Sequence, residues 1–258
     1  PALHSYILWK SVSEAVEAAL KVARAYTKRQ NIIVAKGSYH GLSNATAAMT
    51  RSKMSYSEGV GPYMPGIFTM EFPYYSQLFK PVQTSTDELV DISLKRLELL
   101  FKQETSPRDT AAIILETVLG EGGYVPAPTA FLEGVRAICD KHGILLIVDE
   151  IQAGFGRTGK MFAIEHSGVR PDLMTFAKGF ANGYPISCLV GNKGVMDVMS
   201  PGTLGGTYAG NAVACAAARA TIETFQNERI LENVAERSKQ LFCGLEDIRK
   251  TYLGKLIH

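Results

Sequence analysis

The chain has 258 residues, of which 46% are hydrophobic and 20% are charged, and its formal net charge is +2. These proportions predict a folded protein with one large domain or two small ones, and they argue against disorder. The small charge, dispersed along the chain, argues against a surface that binds nucleic acid or membranes. No apolar run approaches the roughly 18 residues of a membrane span, and residues 1–11 lack the layout of a signal peptide.

The four cysteines, Cys139, Cys188, Cys215 and Cys243, show no close spacing. Disulfide frameworks and zinc sites both require such spacing. We therefore expect reduced thiols, no metal site and a reducing compartment. The cytoplasm is the prediction, with the mitochondrion as the alternative if a targeting segment lies upstream of residue 1.

Helical and extended patterns alternate along the chain. Apolar residues at three- and four-residue spacing predict helices at 13–30, 87–103, 129–143, 210–226 and 231–250. Short apolar runs that end in polar or glycine residues predict strands within 31–41, 111–123, 143–152, 171–179 and 186–192. The segment 51–79, rich in Gly, Pro, Tyr and Met, predicts a long irregular excursion. This alternation predicts an α/β fold with a mostly parallel sheet covered by helices on both faces.

Ionisable side chains follow two of the predicted strands. Lys178 comes directly after the apolar run 173–177, which suggests a lysine that points into a pocket. Asp149 and Glu150 follow the buried run 144–148, where a carboxylate is costly unless a cation or a hydrogen-bond donor faces it. Parallel sheets bind ligands beyond the carboxyl ends of their strands, so these residues mark the expected site.

Aromatic and polar side chains follow at the same level of the predicted sheet. Tyr39 and His40 offer aromatic faces after the strand that begins at residue 31, and Gln152 lies beside Asp149. Ser13 begins a helix whose free amide groups would attract an anion. A lysine, a carboxylate, an aromatic face and an anion site are together what pyridoxal 5'-phosphate needs for its aldehyde, ring nitrogen, ring and phosphate.

The segment 147-IVDEIQAGFGRTGKMFAIEHSGVRPDLMTFAKG-179 closely resembles the core motif of the class III, or omega, aminotransferases. The stretches 38-SYHG-41, 116-ETVLGEGG-123 and 207-TYAGNAVACAAA-218 are similar to that family in the same order. The resemblance extends over almost the whole chain from about Ser11 onward. It implies a fold-type I pyridoxal-phosphate enzyme, with 1–258 as its large cofactor-binding domain.

The resemblance also implies a role for each matching residue. Lys178 would form the Schiff base and move the proton, and Asp149 would pair with the ring nitrogen. Gln152 would contact the ring hydroxyl, and Tyr39 would stack on the ring. Val12 and Ser13 would bind the phosphate.

Two further roles implied by the resemblance concern assembly and substrate. Thr207 would reach the phosphate of the neighbouring subunit, which makes a homodimer with shared active sites the expected assembly. Glu121 would be the gate carboxylate, which in relatives pairs with an arginine of the C-terminal domain and swings aside to admit a carboxylate. The partners are then a small amino donor and a keto acid acceptor, whose identities the sequence leaves open.

The sequence departs from the family pattern at three places. Lys10 stands first in the phosphate loop and Val12 occupies a glycine position, which predicts crowding of the phosphate. Thr117 and Leu119 stand where relatives commonly have proline and glutamine, which predicts an altered substrate pocket. The chain also ends at His258, before the small C-terminal domain, and we expect it to be truncated at both ends relative to the family.

An aminotransferase is therefore the predicted function. The alternatives are a catalytically silent relative or partner subunit, or another reaction of the same scaffold, namely a decarboxylase, an aminomutase or a racemase. The run 154-GFGRTGK-160 lacks the spacing of a nucleotide phosphate loop, and we interpret it as a loop near the cofactor or the dimer face.

Overall fold

The computed structural model describes residues 5–252. Its strands are β1 (Ser5–Trp9), β2 (Asn31–Ala35), β3 (Ile67–Met70), β4 (Thr110–Glu116), β5 (Val118–Leu119), β6 (Val125–Pro126), β7 (Leu145–Asp149), β8 (Leu173–Phe176) and β9 (Ser187–Gly191). Its α-helices are α1 (Val12–Thr27), α2 (Asn44–Met49), α3 (Thr86–Gln103), α4 (Thr129–His142), α5 (Lys193–Met196), α6 (Ala212–Asn227) and α7 (Ile230–Thr251).

Seven of the strands form one sheet in the order β1-β9-β8-β7-β4-β2-β3. The strands from β8 to β3 run parallel, whereas β9 pairs antiparallel with both β8 and β1. The central strands β4 and β7 are buried along their whole length, which explains their near-continuous apolar sequences. The predicted mostly parallel sheet is confirmed, with an antiparallel pair at one edge.

Helices cover the sheet on both faces and bury a hydrophobic core on each face. On one face α1 packs across β4, β8 and β9 with a stripe of small residues that includes Ala15, Val16 and Ala19. On the other face α3 and α4 pack together over Ile113 and Leu146. A capping box starts α1, because the Ser11 side chain accepts from the Glu14 backbone amide and the Glu14 side chain accepts in return.

Four details of the sequence-based prediction need correction. The segment 51–79 is not irregular throughout, since it contains β3, and β1 was not predicted at all. The strand at residues 187–191 is antiparallel to its neighbours. The N-cap of α1 is Ser11, so Ser13 lies in the first turn and does not begin the helix.

Two features of residues 5–252 bear on the class of the protein. No helix there is long and apolar enough to cross a membrane. Nor do three His, Cys, Asp or Glu side chains in that range converge in a way that could hold a metal ion. The predicted single domain, 1–258, begins and ends outside the described residues and stays a prediction.

Candidate active site

A cavity of about 270 Å³ lies at the carboxyl ends of the parallel strands. It brings together side chains from the ends of β4 and β7, from the loops that follow β2 and β8, and from the first turn of α1. Its lining residues are Val12, Ser13, Tyr39, Gly41, Glu116, Glu121, Asp149, Ile151, Gln152 and Lys178. Of the residues to which the family resemblance assigns a role, all except Thr207 are among them.

Asp149, the last residue of β7, is buried at the base of this cavity. One carboxylate oxygen accepts from the backbone amide of Ile151 at 3.0 Å, and the other lies 2.7 Å from Nδ1 of His40. The sequence predicted that a cation or donor must face this carboxylate, and His40 fills that role.

His40 was expected to present an aromatic face beside the ligand, but it lies behind Asp149 and is fully buried. Burial acts to lower the pKa of this imidazole, but the hydrogen bond and charge of Asp149, with the charge of Glu116, outweigh burial and raise the pKa. The raised pKa widens the pH range over which His40 carries a positive charge beside Asp149.

Lys178 follows β8 and begins a short 3-10 helix, Lys178–Phe180. Its backbone φ of +46° lies in the left-handed region, which costs a non-glycine residue on the order of 1–3 kcal/mol. Its amino group donates to the side-chain oxygen of Gln152 at 2.6 Å. The two predicted cofactor ligands are thus in direct contact at the edge of the cavity, and in the single chain the lysine is exposed.

Glu116 is a cavity residue that sequence reasoning missed. It ends β4 and pairs in register with Asp149, and its two carboxylate oxygens accept from the backbone amides of Tyr39 at 2.9 Å and Gly120 at 3.0 Å. Burial raises the pKa of Glu116 despite these donors and the charge of His40. The signal was present, because Glu116 ends a buried apolar run just as Asp149 does.

The first turn of α1 reaches the cavity through Val12 and Ser13. The Ser13 hydroxyl oxygen accepts from the Leu42 amide at 3.3 Å, which leaves its own hydrogen free to donate. The backbone φ of Val12 is not positive, so valine causes no backbone strain at this position. Lys10 points to Glu14, with which it forms an ion pair of 2.8 Å.

Glu121 lines the cavity from the turn after β5. Its carboxylate accepts from the hydroxyl of Ser52 at 2.9 Å and from that of Tyr56 at 3.0 Å, and it lies 3.6 Å from the amino group of Lys53. Burial acts to raise the pKa of Glu121, but these donors outweigh burial and lower it. The predicted gate residue is therefore held in place by the segment 52–56.

Thr117, one of the departures from the family pattern, does not line the cavity. Thr117 is buried beneath the loop after β7, where its hydroxyl donates to Glu150 at 3.1 Å. Glu150 also accepts from the backbone amides of Ala163 at 3.0 Å and Ile164 at 2.7 Å. Burial raises the pKa of Glu150 to about 7 even with these donors. Leu119 is buried too, and it does not line the cavity.

Thr207, which the resemblance assigns to the phosphate site, does not line the cavity. It is exposed, in a turn before α6, with Gly205 and Gly206 directly before it. A second cavity, of about 820 Å³, adjoins Lys178 on another side and is lined in part by Gly154 and Arg157 of the run 154–160.

A mostly parallel sheet with a lysine, a carboxylate, an amide and an aromatic ring at its carboxyl edge is the architecture of fold-type I transferases that use pyridoxal phosphate. The family model for class-III aminotransferases matches residues 2–258. The chain belongs to the class-III aminotransferase family.

Named relatives fall within the same family. The chain is 48% identical over 240 residues to the 5-aminovalerate aminotransferase DavT of Pseudomonas putida, covering 93% of this chain and 54% of that protein. It is 44% identical over 234 residues to the 4-aminobutyrate aminotransferase GabT of Escherichia coli, covering 90% of this chain and 53% of that protein. The chain thus spans about half the length of these relatives.

Solved structures agree with this assignment. The taurine:2-oxoglutarate aminotransferase of Bifidobacterium kashiwanohense, in complex with PLP and glutamate, matches with a TM-score of 0.89 and 31% identity, covering 96% of this chain and 57% of that one. An omega-transaminase from Thermomicrobium roseum matches with a TM-score of 0.88 and 31% identity, covering 95% of this chain and 56% of that one. The fold-type I architecture is confirmed.

Proposed function

We propose that this chain is the cofactor-binding part of an aminotransferase that uses pyridoxal 5'-phosphate and takes an ω-amino acid as donor and a keto acid as acceptor. The observation that carries the proposal is the cavity in which Lys178, Asp149, Gln152, Tyr39 and Ser13 meet. Family membership and the names of the 5-aminovalerate and 4-aminobutyrate relatives support the reaction and the donor class.

The donor set of the cavity fits pyridoxal phosphate. Asp149, which His40 orients through a 2.7 Å hydrogen bond, would pair with the ring nitrogen and hold it protonated. Gln152 would contact the ring hydroxyl, and Tyr39 would cover one face of the ring. The phosphate would lie at the positive end of α1, where the free hydrogen of the Ser13 hydroxyl and the first backbone amides can donate.

Pyridoxal phosphate, when bound, supplies an electron sink that no protein side chain offers. The chain's own contribution is to orient and to move protons. The Lys178 amino group, once it is released from Gln152, is the base that would take a proton from the donor carbon and deliver it to the aldehyde carbon of the cofactor. The left-handed backbone at Lys178 positions that amino group at the edge of the cavity.

A homodimer with shared sites is the assembly we propose. Thr207 is exposed on a glycine-rich turn and lies outside its own chain's cavity, as expected for a residue that serves the partner's phosphate. The two-fold dimer is then the smallest unit with two complete cofactor sites.

Cofactor attachment tests the proposal directly. Added pyridoxal phosphate should produce a near-visible absorbance band, and borohydride should then fix the cofactor on the peptide that contains Lys178. Lys178→Ala should remove the label, whereas the control Lys193→Ala, an exposed lysine paired with Asp197 at 2.6 Å, should keep it. Label on a different lysine, or no band, would contradict the assignment.

Turnover separates an enzyme from a catalytically silent relative. We expect the cofactor-loaded protein to transfer the amino group of 5-aminovalerate or 4-aminobutyrate to 2-oxoglutarate, and Lys178→Ala to abolish the transfer. Cofactor attachment without transfer to any keto acid would favour the silent relative. Loss of carbon dioxide or an inverted centre would favour another reaction of the scaffold.

A further inference from the structure

A phenylalanine side chain packs against the turn that carries Lys178. Phe155 lies on the backbone of Gly179, so closely that a Cβ added at Gly179 would lie 2.9 Å from the Cβ of Phe155. The centroid of the Phe155 ring also lies 5.6 Å from that of Phe176 and 5.3 Å from that of Phe180. Phe155 therefore contacts the chain on both sides of Lys178. We call Phe155, Phe176 and Phe180 the aromatic bracket.

The aromatic bracket is anchored in the rest of the fold. The rings of Phe162 and Phe225 lie 5.6 and 6.4 Å from the ring of Phe155. Phe225 belongs to α6, which also packs against the Lys178 turn. Each aromatic pair contributes enough to shift a local equilibrium about two- to tenfold. The Phe155 ring is therefore held on several sides and can hold the turn in its place.

Two glycines allow Phe155 to lie where it does. A Cβ at Gly154 would lie 2.7 Å from the carbonyl oxygen of Glu150, and one at Gly156 would lie 2.8 Å from the ring of Phe225. Phe155 itself has a φ of +53°, in the left-handed region that costs a non-glycine residue free energy. The stretch is thus shaped to seat this one ring.

The Lys178 turn has little other support. Its φ of +46° is also left-handed, and such a backbone persists only where its surroundings hold it. The short helix has no side-chain cap, and the hydrogen bond from the Phe180 amide to the Ala177 carbonyl, at 3.0 Å, closes it. The hydrogen bond from Lys178 to Gln152 must break before the amino group can act. Packing against the aromatic bracket remains when that bond is broken.

We propose that Phe155 is a positioning residue for Lys178. By packing against Phe176, Gly179 and Phe180, its ring holds the left-handed backbone of the lysine, and with it the direction in which the amino group enters the cavity. Phe155 does not line the cavity, so it acts through Lys178 and not on the ligand. The consequence for the reaction rests on the proposed function, whereas the hold on the turn can be measured without cofactor.

A role in packing alone makes a different prediction. The loss of the ring would then lower the stability of the whole fold and leave local opening of the Lys178 turn unchanged. A positioning role requires that the turn itself opens more often when the ring is removed.

Hydrogen exchange in the cofactor-free protein separates these two roles. Phe155→Leu keeps an apolar side chain but removes the ring contacts on both sides of Lys178. Exchange of the Phe180 amide, which closes the turn, should become roughly tenfold faster, because at least one aromatic pair no longer opposes opening.

The matched control is Phe72→Leu. Phe72 is also a packed aromatic residue, buried and edge-on to Phe131 at 5.5 Å, but it follows β3, the edge strand farthest from β8. Its substitution should lower the urea midpoint and leave exchange of the Phe180 amide at the wild-type rate. An unchanged rate in Phe155→Leu, or an equal increase in Phe72→Leu, would overturn the proposal.

A second substitution perturbs the same contact from the other side. In Gly179→Ala the added Cβ presses on Phe155, so exchange of the Phe180 amide should again become faster. Gly194→Ala is its control, because no atom lies within 4 Å of a Cβ added there, and it should leave the rate unchanged. If Phe155→Leu does not fold, this pair decides the proposal, and equal rates in the two glycine variants would contradict it.

Kinetics of the complete enzyme give a readout that packing alone does not predict. The kcat for transfer from 5-aminovalerate should fall roughly tenfold in Phe155→Leu while KM stays within about twofold, because a misplaced base slows proton movement without weakening substrate binding. Phe72→Leu should leave both constants at the wild-type values. A rise in KM without a fall in kcat would refute positioning. If the wild type uses no donor at all, the proposed function fails, and hydrogen exchange then decides the role of Phe155 alone.

Discussion

Replacing Asp149 with asparagine should destabilise the protein through His40, even before catalysis is considered. The two side chains are buried and meet at 2.7 Å, and His40 Nε2 has no hydrogen-bond partner among residues 5–252. His40 therefore depends on Asp149 for its charge. Asparagine has nearly the same shape but cannot balance an imidazolium.

The expected cost follows from what asparagine can still do. Its oxygen can accept from the Ile151 amide, and its NH₂ group can donate to Nδ1 of a neutral His40, so both hydrogen bonds of the Asp149 side chain can be replaced. The free energy of unfolding then falls by the difference between a charged and a neutral hydrogen bond, about 1–2 kcal/mol at pH 6. Asp149→Ala offers no partner at all and should cost more, about 3–5 kcal/mol.

The pH dependence has a defined sign. The pKa of His40 is raised in the folded protein, so the stability that the charged pair contributes is fully present below about pH 6.5 and is lost as pH rises through the folded pKa. The difference between wild type and Asp149→Asn should therefore shrink between pH 6 and pH 9.

Urea unfolding of the cofactor-free protein, followed by circular dichroism, measures these differences. A double-mutant cycle with His40→Asn should give a coupling energy of about 1–2 kcal/mol at pH 6 and much less at pH 9. The reasoning would be refuted if the difference in free energy of unfolding between wild type and Asp149→Asn did not change with pH, or if the coupling energy at pH 6 were below about 0.5 kcal/mol.

Three further substitutions test other parts of the site. Gly41→Ala should destabilise the protein and weaken pyridoxal phosphate binding, because φ is +121° and a Cβ would overlap the Ser13 hydroxyl. Gly59→Ala is the control, because φ there is +74° but no atom lies within 4 Å of the added Cβ, so only the backbone is strained. If Gly59→Ala weakened cofactor binding as much as Gly41→Ala does, overlap with Ser13 would not be the cause. Glu150→Gln should flatten the dependence of stability on pH. The pKa of Glu150 is raised to about 7, so its contribution is present below about pH 4.5 and is lost as pH rises through 7, on the order of 2 kcal/mol. If the urea midpoints of wild type and Glu150→Gln changed by the same amount from pH 5 to pH 8, this idea would be wrong. Thr207→Ala should weaken cofactor affinity about ten- to a hundredfold without dissociating the dimer. Mixed dimers with Lys178→Ala should recover up to half the activity at limiting cofactor, and no recovery would exclude a shared site.

Much of the fold can be read from local patterns. Burial repeats every two residues in a strand and every three or four in a helix, so the five long helices and the central strands β2, β4, β7 and β8 are visible in the sequence. The position of a charged residue at the end of an apolar run is equally local. The amino-acid sequence is therefore sufficient to place Asp149 and Lys178 at the expected site.

The strands at the edges of the sheet are harder to predict from the sequence. β1 and β3 are each only partly buried, with one fully buried residue apiece, so neither has the continuous buried apolar run of a central strand. The antiparallel direction of β9 depends on the path of the chain between β8 and β9, which periodicity does not describe.

Only the tertiary structure decided which polar groups meet within the site. His40 and Asp149 are 109 residues apart, Tyr39 and Glu116 are 77 apart, and Tyr56 and Glu121 are 65 apart. Each contact joins a residue at or after the end of one strand to a residue in a segment that follows another strand, and their proximity follows from the order of the strands in the sheet. A residue's local sequence determines whether it is buried or extended, but long-range packing determines which strand ends become neighbours, and with them the partners of each buried charge.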